Sequence, residues 1–149
     1  MKKVDVLNCK EFLSDLKLNK FDKEIRTAIV TNSMVANRIS KDFNEATKEA
    51  TSRYTKDIES EVGTLEMLRN KYQSASSEEK IEIEKEIIEK CPNALTAEKE
   101  LNEFVNNMLN EEVAESFIKI DKETFIDQCA EANIDITVNM LELFNELFK

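Results

Sequence analysis

Histidine and tryptophan are absent from this 149-residue chain, which has one glycine (Gly63) and one proline (Pro92). Without histidine there is no His-activated nucleophile, no His-ligated zinc site and no Glu-x-x-His di-iron ligand pair. One glycine cannot build a Gly-rich phosphate loop. No stretch of about 18 apolar residues exists to span a bilayer. The N-terminal MKKVDVLNCKEF carries Asp5, Asn8, Lys10 and Glu11 where a secretory signal needs an apolar run. Cys9, Cys91 and Cys129 are odd in number, widely spaced and form no paired-cysteine motif. They read as reduced thiols of a cytosolic protein, each acting as a small hydrophobe.

Charge of one sign is scarce in one half only. The chain carries a net −10, yet residues 1–60 hold 12 Lys/Arg against 10 Asp/Glu, while residues 61–149 hold 9 against 21. The halves therefore net +2 and −12. A phosphate backbone is a poor partner for the acidic half, and no basic stripe with interleaved aromatics compensates elsewhere. Direct nucleic-acid binding is not expected.

What the chain has is helical periodicity. From about Phe21 to Tyr72, apolar or small residues recur at Ile25, Ala28, Val35, Ile39, Phe43, Ala46, Ala50, Tyr54, Ile58, Val62, Leu65 and Leu68. A continuous helix there would be about 75 Å long. Its mean step of about 3.64 residues predicts nearly straight packing rather than a left-handed coiled coil. The one polar residue squarely on the stripe is Asn32. It reads either as solvated or self-satisfied near the helix end or as a buried asparagine fixing register with a partner helix. Gly63 is a candidate kink.

Gln73–Ser77 reads as a turn, with Ser76 and Glu79 at capping-box spacing. A helix then runs to Lys90 with Ile81, Ile87 and Ile88 inward, ended or kinked at Cys91-Pro92-Asn93. A further helix from about Thr96 carries Leu101, Phe104, Val105, Met108, Leu109 and Val113. At the termini, 3–7 (KVDVL) and 116–120 (SFIKI) read as two short strands that pair. Small helices are expected after Asn8, with Phe12, Leu13 and Leu16 inward, and after caps Asp121 and Thr137. Asn19 is the expected cap of the long helix. The Phe residues of ELFNELF read either as a lid on the helices or as an exposed patch for a partner.

The expected fold is thus mainly α and a single domain over 1–149. It comprises a long antiparallel hairpin, about 21–72 against 78–113, with a cap of short terminal helices and a two-stranded sheet of 3–7 with 116–120. The stretch from Val35 to Ala50 is where the return arm would leave room for a second chain.

Only carboxylates remain as candidates for chemistry. Glu78, Glu79 and Glu82 form an E-E-x-x-E that resembles the first magnesium motif of all-helical nucleotide pyrophosphatases. Such an enzyme also needs a downstream E-x-x-D, and none occurs in the chain. A capped, solvated helix face explains the three glutamates, and a solvated helix end explains Glu111, Glu112 and Glu115. No catalytic, cofactor-binding or metal residue is assigned, and no cofactor is expected.

The stretches KEIRTAIVTNSMVANRISKDFNEATKEATSRY, ELNEFVNNMLNEEVAESFIKIDKETF and IDITVNMLELFNELF follow in an order that resembles a family of small phage-encoded helical-hairpin proteins of unknown function. Ala114-Glu115-Ser116-Phe117 departs from the regular alternation expected before the strand. The resemblance implies a phage or prophage origin, an accessory or structural role, and a place in the bacterial cytoplasm or the virion. It transfers no site residues. The expected function is a non-enzymatic interaction or structural protein with a protein partner, in a homo-oligomer or with a phage or host protein. The alternative is an acidic inhibitor occupying a host protein's nucleic-acid-binding surface.

Overall fold

Seven α-helices and two 3-10 turns carry the chain in a computed structural model that describes residues 1–149, the Leu143 side chain excepted. The helices are α1 (Lys3–Asp15), α2 (Lys23–Tyr54), α3 (Glu59–Ser74), α4 (Ser77–Lys90), α5 (Pro92–Asn110), α6 (Lys122–Glu131) and α7 (Val138–Leu143). The protein is mainly helical, and no sheet occurs among the described residues. The chain forms two compact units. Residues 1–44 with 108–149 make the first, and residues 45–107 make the second.

In the first unit, residues 3–7 are not a strand. Val6, Cys9, Leu13 and Leu16 are all buried at helical spacing, so the alternation of KVDVL is the opening turn of a longer helical pattern. Asp5 accepts the Lys2 N–H at 3.1 Å and closes the start of α1, where Asn8 had been the expected cap. Residues 116–120 have therefore no strand to pair with. Their groups are met singly: Ile120 donates to the Leu147 carbonyl at 2.8 Å and accepts from Lys149 N–H at 3.0 Å, a single parallel bridge.

Helix α2 is capped by Asp22, not Asn19. Its carboxylate accepts the Ile25 N–H at 2.9 Å, and Gln128 of α6 brackets the same residue, donating to Oδ2 at 2.6 Å and accepting its N–H at 2.9 Å. The main core joins Cys9, Leu13 and Leu16 of α1 to Phe21, Ile25, Ala28 and Ile29, to Phe125 and Cys129 of α6, and to Phe144, Leu147 and Phe148. The C-terminal phenylalanines are thus a lid and not an exposed patch. A smaller cluster sets Val6 against Ala36 and Ile39, with Val35, Val113 and Phe117 around it. Part of the stretch expected to lie open is covered from within the chain.

The expected 21–72 helix is interrupted. Between α2 and α3 the backbone turns through Asp57 at φ 66°. Thr51 and Thr55 donate their hydroxyls to the carbonyls of Thr47 and Thr51. This back-bonding bends helices, and Thr, Ser and Asp are weak helix formers. The run of Thr47, Thr51, Ser52, Thr55 and Asp57 is where the pattern yields. Gly63 is not the break: it lies within α3, with open space where a Cβ would project.

In the second unit, α3 packs against α4 across the Ala75-Ser76 turn. Ser76 and Glu79 form the expected capping box, Glu79 accepting the Ser76 N–H at 2.8 Å. Leu65, Leu68, Cys91 and Ala94 are buried together, with Val62, Ile83, Ile87 and Leu95 against them. Ile83 is an inward residue of α4 together with Ile87, whereas Ile81 and Ile88 face solvent. Tyr54 meets Phe104 at 6.4 Å between ring centroids.

Pro92 stands first in α5, the position that needs no N–H. The next two N–H groups, of Asn93 and Ala94, donate to Glu61 Oε2 at 2.9 and 3.2 Å, and Asn93 Nδ2 donates to Oε1 at 2.7 Å. A residue of α3 thereby caps α5. The Asn93 side-chain amide, then the two backbone N–H groups, hold the Glu61 carboxyl below the usual glutamate range. Its contribution is complete above the unfolded glutamate value, about 4.3, and is lost as pH falls through the lower folded value. Glu61→Ala is expected to lower the melting temperature near neutral pH, by a margin that shrinks in acid. An equal margin in both would show that the ionised cap does not matter.

Candidate interaction surface

A concave, apolar cleft lies in the first unit, with a volume of about 380 Å³, within the roughly 300–1,000 Å³ typical of ligand sites. One wall is the α1 face carrying Phe12 and Leu16. The other is built by Ile134, Met140 and Phe144. The Phe12 and Phe144 rings stack at 4.4 Å between centroids and 17° between planes.

The second wall is positioned by a helix ending. Asn133 adopts φ 52°, a left-handed conformation that asparagine tolerates. Its N–H bonds the Ala130 carbonyl at 3.1 Å and the Ile134 N–H bonds the Cys129 carbonyl at 2.9 Å. Those two bonds make a Schellman motif, which turns Ile134 back onto the core. Thr137 then accepts the Met140 N–H at 3.2 Å and starts α7, as its sequence predicts.

Three carboxylates rim the cleft: Glu11 and Asp15 of α1 and Asp135 of the α6–α7 connection, with Asn8 beside them. No lysine or arginine lines it. Glu11 and Asp15 are four residues apart, so like charges face each other along one helix face. Asp15 also ends α1, where the helix dipole disfavours an anion, and the last turn holds no basic residue. The sequence reading missed this set because each carboxylate looks like ordinary surface. The one local signal was the Glu11/Asp15 spacing.

The carboxylates singled out from sequence are not assembled into a site. Glu78, Glu79 and Glu82 lie exposed on the first turns of α4, with Glu79 committed to its cap. Glu86 pairs with Lys90 at 2.6 Å. The Glu111–Glu115 cluster is divided between partners, Glu111 meeting Lys3 at 2.6 Å and Glu115 meeting Arg38 at 3.1 Å. Among the described residues no group of three or more Cys, Asp or Glu could hold a metal ion.

The cysteines are free and buried. Burial, reinforced by Asp5 and Glu146, pushes the Cys9 thiol to about 12. Burial alone takes Cys129 to about 11, and burial followed by the Glu61 and Glu86 charges raises Cys91. Thiols held neutral are poor nucleophiles.

A second concavity, about 470 Å³, runs between α3 and α5 over Val62, Leu65, Ala97 and Leu101. Two of its three charges are matched, Arg69 gripping Glu98 through two bonds of 2.7 Å, and Glu66 is the third. No helix among the described residues is long and apolar enough to cross a membrane. No family model, curated protein or solved structure matches the chain.

Proposed function

We propose that this chain is a non-enzymatic helical interaction protein, of phage or prophage origin, that works by packing against protein in a homo-oligomer or larger assembly. The observation that carries the reading is a set of large apolar side chains left in solvent at helical spacing. Val30 and Met34 lie one turn apart on α2, Met34 being 69 % exposed. Ile81 and Ile88 lie two turns apart on α4, Ile88 being 66 % exposed. Single exposed apolar residues are ordinary, but stripes on one helix face are what a partner covers.

Mimicry of nucleic acid is less well supported. Glu61, Glu79, Glu84, Glu86, Glu98 and Asp121 are engaged in caps and pairs rather than arrayed as free charges. Such engagement suits a folded module with protein and not nucleic acid as partner, and the phage resemblance implies the bacterial cytoplasm or virion as its location.

Light scattering after gel filtration is expected to show a dimer or larger species, shifted toward monomer by Met34→Glu or Ile88→Glu. A strict monomer that captures no protein from its native host would overturn the reading.

A further inference from the structure

We propose that the α1–α7 cleft takes the arginine side chain of a basic segment on a different protein, an assignment that rests on the interaction reading above. The cleft offers two chemistries together. Its walls of Phe12, Leu16, Ile134, Met140 and Phe144 are apolar, and its rim of Glu11, Asp15 and Asp135 is anionic. A cation on an aliphatic stem satisfies both.

Arginine fits better than lysine. Its planar guanidinium is weakly hydrated and meets carboxylates through a fork of donors. None of the three rim carboxylates has a side-chain hydrogen bond or ion pair among the described residues, in contrast to Glu61, Glu98, Glu111 and Glu115. Glu11 and Asp15 stand four residues apart, and Asp15 stands at the C-terminal end of α1, so both positions favour a cation from outside.

A second copy is a poor source of it. Of the four arginines, Arg38 and Arg69 are held in ion pairs and Arg53 lies over Tyr54 and Phe104, which leaves only Arg26, exposed on α2. Two chains of net −10 also repel each other at an anionic cleft. Arg26 stands beside Asp22 and Glu24 and not in a basic run, so the occupant is a cationic segment of another protein.

The test is a titration of the isotope-labelled full chain, followed by amide NMR. The probe is a blocked helical peptide of alanine and leucine with one central arginine. A twin carries citrulline, which keeps the shape and removes the charge. Arginine peptide should shift the amides of Glu11, Phe12, Asp15, Asp135 and Met140. Removal of the charge should weaken binding about ten-fold or more, as loss of charge-assisted bonds does. The triple variant Glu11→Gln/Asp15→Asn/Asp135→Asn should lose binding to the same extent, with its circular dichroism and melting temperature retained.

Equal binding of the citrulline twin, or shifts confined to other surfaces, would overturn the assignment. So would tighter binding of spermidine than of peptide, which would make the cleft a polyamine site. An intact oligomer with no cleft shift removes this assignment alone. A monomer without partners that still binds the arginine peptide removes the functional reading.

Discussion

Phe125→Ala is expected to cost about 3–5 kcal/mol, the range for deleting a buried phenylalanine ring. Phe125 is 1 % exposed. Its ring stacks on Phe21 at 5.5 Å and 4°, lies tilted against Phe148 at 5.4 Å, and meets Phe12 edge-on at 6.2 Å. The truncation would open a cavity where α1, the start of α2, α6 and the C-terminal segment converge. The ring sits within an apolar cluster, so water gains little by filling the gap and the dispersion contacts are lost. A loss of that size is a large share of the roughly 5–15 kcal/mol that holds a typical domain together.

Urea unfolding followed by circular dichroism measures it, with Ile126→Ala as the control. Ile126 is the adjacent residue and partly exposed, so its truncation should cost much less. The two tyrosines, Tyr54 and Tyr72, both belong to residues 45–107. With no tryptophan present, tyrosine emission therefore reports the second unit separately. If Phe125→Ala unfolds within about 1 kcal/mol of the parent, the aromatic cluster is not the keystone described.

The next largest effect is expected at Asn32, 0 % exposed in the middle of an apolar stripe. Its side-chain amide donates to the Ile118 carbonyl at 2.9 Å and accepts the Ile118 N–H at 2.8 Å. The amide thus replaces, for one residue, the strand neighbour that 116–120 lacks. Asn32→Leu keeps the volume and leaves both backbone groups unpaired, at about 1–3 kcal/mol for each that stays buried.

Asn32→Asp should cost more near neutral pH, because an ionised carboxylate has no proton to donate and would face the Ile118 carbonyl while desolvated. Burial would raise its folded pKa above the unfolded value of about 3.9. Its deficit should therefore grow as pH rises through that folded value and narrow in acid, where a protonated carboxyl both donates and accepts. A leucine variant as stable as the parent, or an aspartate variant with no such pH dependence, would show that the pairing contributes nothing.

Asn32 also marks the boundary of what local pattern can say. Its place on the buried stripe was legible, since a helical period assigns faces. Its partner was not: Ile118 is 86 residues away, and nothing in either segment encodes their meeting. The sequence alternatives were solvent or a partner helix, and the structure supplies an extended segment of the same chain.

The same division runs through the fold. The Ser76/Glu79 box, the Asp121 and Thr137 caps and the break at Pro92 were determined by the sequence alone, because each rests on residues three or four apart and on backbone geometry that one side chain imposes. The mainly helical class follows equally from long 3.6-residue patterns with almost no glycine or proline to interrupt them.

Tertiary structure decided what depends on distant partners. KVDVL became helix because Val6 gains a place against Ala36 and Ile39. The long helix broke at Asp57, where back-bonded hydroxyls and weak helix formers left little local preference for continuing it. The rim of Glu11, Asp15 and Asp135 came together only when the Schellman turn at Asn133 carried Ile134 and Asp135 to α1. Hydrogen bonds within a turn are read along the chain, whereas burial and charge repulsion depend on what the fold places across from each residue.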